Sequence, residues 1–250
     1  MLRSASELFN YTLAAQDGEI GRCKDFLFDD EFWTIRHMVA DTGKWLPGVR
    51  VLISPASLGE PRWSGKIFPV GLTKDQIKEA PGVDEDAPLN RHYEKQLALY
   101  YGHSPYWLDA STGVTFESQK YLFNREMIQD QINKLEDGGN DVHLRSIKAV
   151  LNYNIHAADG KVGHVEDFVL DDENWRVRYL VVDTRNWIPG RKVLVSPMWV
   201  ELVEWLNRKV QVDLTVEEVK ESPLYDPSAP VNREYEQRLY DYYGRPTYWE

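Results

Sequence analysis

The stretch DGEIGRCKDFLFDDEFWTIRHMVADTGKWLPGVRVLISP, residues 17–55, is written twice, returning as DGKVGHVEDFVLDDENWRVRYLVVDTRNWIPGRKVLVSP at residues 159–197. The offset is a constant 142 residues and needs no gap. Asp17, Gly18 and Gly21 become Asp159, Gly160 and Gly163, and Asp25, Phe26, Asp29 and Asp30 become Asp167, Phe168, Asp171 and Asp172. Further along, Trp33, Asp41, Thr42, Trp45, Pro47, Gly48, Ser54 and Pro55 recur in the same way. Two copies of one pattern specify one structural solution used twice.

Working outward, the correspondence runs from Leu2-Arg3-Ser4 against Leu144-Arg145-Ser146 to Tyr106-Trp107 against Tyr248-Trp249. About two positions in five are identical over that span, so both copies are expected to share a fold. Asp-Gly between apolar runs predicts a hairpin, because glycine accepts positive φ and aspartate bonds its own backbone. Short runs rich in β-formers then predict strands over 20–28, 34–41, 51–53 and 66–70, and over 162–170, 176–183, 193–195 and 208–212. Trp45-Leu46-Pro47-Gly48 and Trp187-Ile188-Pro189-Gly190 each predict a chain reversal. Thr73 and Thr215 are N-caps of short helices, and Asn90 and Asn232 open second helices that stop at Gly102 and Gly244. Tyr93, Leu97 and Tyr100/Tyr101, with Tyr235, Leu239 and Tyr242/Tyr243, are expected to form the apolar face of those helices.

This pattern predicts a mainly β protein: two tandem small barrels, each followed by short α-helices and set as a pseudo-symmetric pair. The expected domains are repeat 1 at 1–107, a partly helical linker at 108–143 with a helix from Asn124 to Leu135, and repeat 2 at 144–250.

The chain's 250 residues suffice for two cores, and its formal charge of −11 disfavours a phosphate backbone, so nucleic acid is not an expected partner. Cys23 is the sole cysteine, which rules out an intramolecular disulfide and fits a reducing cytoplasm. Because Val165 stands at its equivalent position, Cys23 reads as a small buried hydrophobe. No run of 18 apolar residues appears, so no stable membrane insertion is expected.

The chemistry-bearing residues are sparse. His37, His92, His103, His143, His156 and His164 do not recur in the other copy and show no ligand spacing, so no metal is expected, and His156 and His164 read as surface residues. The Asp29-Asp30-Glu31 and Asp171-Asp172-Glu173 runs lack calcium-loop spacing and read as acidic turns. No nucleotide-binding, hydrolase or kinase motif is present, so no catalytic residue, cofactor site or cofactor is expected. Asp25 and Asp167 stand out, since alternation puts Asp25 on one strand face with Cys23 and Leu27, and Asp167 with Val165 and Val169. A carboxylate on a buried face needs a partner, and a loop or an arginine such as Arg36 or Arg178 would supply it.

The residues Asp-Gly-x-x-Gly-x-x-x-Asp-Phe-x-x-Asp-Asp, then Trp, a strand ending in Asp-Thr, Trp-x-Pro-Gly and Val-Leu-x-Ser-Pro resemble the PRC-barrel domain. That domain occurs in the photosynthetic reaction-centre H subunit and at the C-terminus of a ribosome-maturation factor. The resemblance covers Leu2 to Lys78 and Leu144 to Lys220. It implies a small all-β barrel used for protein contact, with no catalytic residues to carry over.

The expected function is thus a soluble, cytoplasmic, non-enzymatic interaction or assembly module with a protein partner still to be identified; homo-oligomerisation is left open. The alternatives are a small-ligand-binding protein or enzyme with its site at the inter-repeat interface, and a ribosome-associated factor.

Overall fold

The computed structural model describes residues 1–43, 45–84, 89–103, 106–107, 143–184 and 190–249. In the first copy the elements are β1 (Leu2–Ser4), α1 (Ala5–Leu8), β2 (Thr12–Ala15), β3 (Gly18–Asp29), β4 (Thr34–Asp41), β5 (Val49–Ile53), β6 (Ile67–Pro69), α2 (Lys74–Lys78), β7 (Val83–Asp84) and α3 (Arg91–Tyr101). The second copy supplies β8 (Leu144–Ser146), α4 (Ile147–Val150), β9 (Asn154–Ala157), β10 (Gly160–Asp171), β11 (Val177–Asp183), β12 (Lys192–Val195), β13 (Val200–Glu204), β14 (Lys209–Val212), α5 (Val216–Glu221) and α6 (Arg233–Tyr243).

The chain divides into two compact units, one of Met1–Leu8, Phe32–Ile35 and Arg145–Glu250, the other of Phe9–Glu31 and Arg36–Leu144. These units do not coincide with the two sequence copies. The N-terminal residues of copy 1 belong to the unit built mainly from copy 2.

In the first unit the sheet order is β12-β11-β10-β9-β14-β13, with β1 beside β10. The pairing is antiparallel except for β14 and β9, and β1 sets Leu2, Arg3 and Ser4 opposite Asp171, Leu170 and Val169. Val165, Phe168, Leu180, Val182, Val193, Leu194 and Val210 lie wholly buried beneath these strands. Burial of such β-branched and aromatic side chains is the main force holding the sheet. The segment Phe32–Ile35 joins the same unit, where Val177 N–H donates to Trp33 O at 2.7 Å and Ile35 N–H donates to Trp175 O at 2.8 Å.

In the second unit the order is β6-β2-β3-β4-β5-β7, and Leu144 of β8 enters beside β3. Its core joins Leu27, Val39 and Leu52 of the sheet to Tyr93 and Leu97 of α3 and to Leu144. The helix thus packs on the strands of its own copy. The expected apolar face needs correction in α6, where Glu236, Leu239 and Tyr240 are buried while Tyr242 is exposed. A spacing of three and four residues from Glu236 defines that face, and the tyrosine count obscured it.

Local chemistry explains why the shared residues recur. Asp17 and Asp159 each accept a backbone N–H at the start of a helix, from Lys74 at 2.9 Å and Val216 at 2.7 Å. Thr73 with Gln76 and Thr215 with Glu218 form capping boxes. Gly21 and Gly163 are required by crowding, since a Cβ there would lie 2.0 Å from the Asp41 or Asp183 carbonyl oxygen. Cys23 is wholly buried, as a small core hydrophobe should be. Most predicted strands appear at the expected positions, but Leu2–Ser4, Leu144–Ser146 and Val200–Glu204 are strands that the pattern did not announce. The expected helix from Asn124 to Leu135 and most of the reversal at 187–190 lie outside the described residues.

Candidate functional site

Asp167 sits on β10 where the ladder to β11 slips between Val165 and Asp167. Strict alternation would bury Asp167 with Val165. The irregularity instead half-exposes the carboxylate and leaves Val165 and Phe168 in the core. Asp167 Oδ2 accepts from Ser4 Oγ and, at 2.6 Å, from Ser6 Oγ, while Oδ1 accepts Ser6 N–H at 3.1 Å and Phe168 N–H at 2.8 Å. Of the partners the sequence suggested, a chain segment or an arginine such as Arg178, it is the N-terminal segment that holds Asp167. Asp25 repeats the local part of this arrangement, with Oδ1 accepting Phe26 N–H at 2.8 Å.

Arg178 and Arg36 go to the acidic turns. Arg178 donates to Asp171 Oδ2 through NH2 at 2.8 Å and Nε at 3.1 Å, and Arg36 reaches Asp29 Oδ2 at 3.3 Å. The other oxygens of Asp171 and Asp29 accept the Glu173 and Glu31 N–H groups. Each first aspartate thus closes its turn and holds an arginine, leaving few acceptors for an ion.

Two buried glutamates escaped the sequence reading. Glu94 and Glu236 recur at the offset, each 2% exposed, on helices α3 and α6. In the second unit Tyr106 O–H donates to Glu94 Oε2 at 2.8 Å, His143 Nε2 approaches Oε1 at 3.2 Å and His37 Nε2 approaches Oε2 at 3.7 Å. Burial pushes the Glu94 carboxyl up, but the contacts with His143 and His37 outweigh it and hold the carboxyl down at about 2. His37 and His143 are buried with it, since a buried carboxylate needs donor neighbours. In the first unit Glu236 Oε1 accepts from Tyr179 O–H at 2.8 Å and Tyr248 O–H at 2.7 Å. Arg36 stacks over Tyr106 and Arg178 over Tyr248, both at 3.9 Å. The glutamates share a helical face with Leu97 and Leu239, and that spacing was the signal that would have found them.

A cavity of about 240 Å³ opens beside Asp167, lined by Ser4, Ser6, Glu7, Glu166, Lys192 and Tyr225 among others. Among the described residues, no group of three or more His, Cys, Asp or Glu is arranged to hold a metal ion. No described helix is long and apolar enough to cross a membrane.

These are sheets with short capping helices and a duplicated polar framework. The PRC-barrel domain matches residues 150–219, from the end of α4 through β14 and into α5, so the second copy carries that domain. No curated protein matches the chain.

Proposed function

We propose that the chain is a soluble, non-enzymatic interaction or assembly module in which both copies are PRC-type barrels. The supporting observation is how the recurring carboxylates are used. Asp17 and Asp159 cap helices, Asp29 and Asp171 close turns, and Glu94 and Glu236 bind helix to sheet, so the polar residues common to both copies serve the fold. Function then falls to the surface. The end strand β13 exposes Leu202 at 52%, and Leu206 in the following turn is fully exposed. Apolar side chains at a sheet edge suit a protein partner better than solvent.

The test is affinity purification of the full chain followed by mass spectrometry, beside a Leu202→Lys, Leu206→Lys variant. A partner retained by the native chain and lost by the variant is expected. Recovery of no specific partner, together with turnover of a small substrate by purified protein, would overturn the reading.

A further inference from the structure

A second cavity, of about 210 Å³, lies within the second unit, where β5 meets helices α2 and α3. Leu46, Ile77, Ala80, Leu97 and Tyr101 give it apolar walls, with Val49, 40% exposed, among them. The charged residues of the wall are Arg50 and Lys78, and no described acidic residue joins them. Lys78 is exposed, and no ion pair among the described residues engages it. Arg50 lies close to the Tyr93 phenol, which burial pushes up to about 12 while the guanidinium draws it back. In a chain of formal charge −11, a cavity walled by cations selects for an anion.

The repeat shows why this cavity is open. At the offset, Arg191 stands in place of Val49, Ser222 in place of Ala80 and Tyr243 in place of Tyr101. Arg191 NH2 donates to the Ser222 carbonyl oxygen at 2.7 Å, and Ser222 is 1% exposed. Burial pushes the Tyr243 phenol up, while Ser222 and Arg191 beside it pull the other way, so the arginine side chain fills the space next to that ring. Valine is too short to make the same crossing, and Ala80 is left half-buried. The charge differs as well. Lys192, the equivalent of Arg50, donates to Glu166 at 2.8 Å, whereas the first copy has Lys24 at the place of Glu166. The first copy therefore lacks both that filler and that carboxylate. At about 210 Å³ the cavity is below the roughly 300 Å³ at which drug-sized sites begin, so it suits a short apolar body.

We propose that this cavity binds a short-chain aliphatic carboxylic acid as its carboxylate. The tail lies over Leu46, Ile77, Ala80 and Tyr101, where it leaves water, and Lys78 and Arg50 receive the carboxylate. The site goes beyond the interaction reading and does not depend on it.

The test is an NMR titration of the full chain with sodium hexanoate, referenced to sodium acetate at equal ionic strength, beside a titration with hexylammonium chloride. Saturable hexanoate shifts centred on residues 49–52, 77–82 and 97–101 are expected, with hexylammonium binding more weakly. Val49→Arg restores the filler seen at Arg191. Despite its added positive charge, it is expected to weaken hexanoate binding about tenfold or more, because the new side chain takes the ligand's place. Lys78→Met, at an exposed position, is expected to weaken hexanoate severalfold and to narrow its advantage over hexylammonium, with thermal melts confirming that both variants fold. Shifts no larger than those with acetate, hexylammonium binding as tightly as hexanoate, or native affinity in Val49→Arg would overturn the proposal.

Discussion

Glu94 and Glu236 occupy the same place in the two copies, yet they are held differently. Each lies on a helix against the sheet, each accepts from the tyrosine at 106 or 248, and each is flanked by an arginine stacked on that tyrosine. Where Glu94 meets His37, Glu236 meets the offset-equivalent Tyr179. Where Glu94 meets His143, the equivalent position is Met1. The fold therefore specifies a buried carboxylate and enough donors, and leaves open whether those donors are phenols or imidazoles. The two copies thus share the geometry of the carboxylate and differ in the chemistry of the groups around it.

The largest effect is expected where the copies are the same. Gly21→Ala and Gly163→Ala would each drive a Cβ to 2.0 Å from a carbonyl oxygen of the neighbouring strand. Each is expected to cost about 3 kcal/mol or more in urea unfolding, from overpacking with displaced backbone. Tolerance of alanine in one copy and not the other would break the claim of a common scaffold.

Glu94→Gln tests the divergent part. The folded-state value of Glu94 is depressed from 4.5 to about 2, so its stabilising contribution is fully present above 4.5 and disappears as pH falls towards 2. A shift of that size corresponds to about 3 kcal/mol at neutral pH. The variant should be less stable than the native chain by roughly that amount at pH 6, and the gap should close by pH 2. A gap that stayed constant from pH 6 to 2 would show that the imidazoles do not hold the charge.

Glu236→Gln is expected to cost less, about 1 to 2 kcal/mol at neutral pH, because an amide oxygen in the place of Oε1 still accepts from Tyr179 and Tyr248, while the NH2 in the place of Oε2 loses only the contact with the half-exposed Arg233. Measured beside Glu94→Gln, a larger loss at 236 than at 94 would reverse the contrast between phenol and imidazole support.

Much of the scaffold could be read from the chain because its determinants are local. Asp-Gly turns, Thr N-caps with Gln76 or Glu218 three residues on, and Ser54-Pro55 all act within a few residues of themselves. Asp167 is also legible in the chain as a carboxylate in need of a partner. Its partner was missed because Ser4 and Ser6 lie more than 160 positions away, and because a slip in the β10–β11 ladder breaks the alternation on which its orientation was judged. The buried histidines were missed for a related reason. His37 and His143 have no offset equivalents, so a reading based on repetition discounted them, although the recurring Glu94 required donors. Leu-Arg-Ser is too short and too polar to declare a strand, and only its position against β10 and the anchoring of Ser4 make it one.

The smallest effect concerns that anchor. Ser6→Ala removes the 2.6 Å bond from Ser6 Oγ to Asp167 but leaves those from Ser4 Oγ and the Ser6 N–H, so the carboxylate keeps donors. Global stability should fall by about 1 kcal/mol or less. The sharper reading is local: hydrogen exchange at Leu2 to Ser4 should quicken severalfold, while amides of β11 and β12 in the same unit stay protected, because only β1 depends on this contact. Lys148→Ala, at the offset equivalent of Ser6, should leave exchange at Leu2 to Ser4 unchanged. If both variants loosened β1 alike, Asp167 would not be the residue that fixes the N-terminal strand.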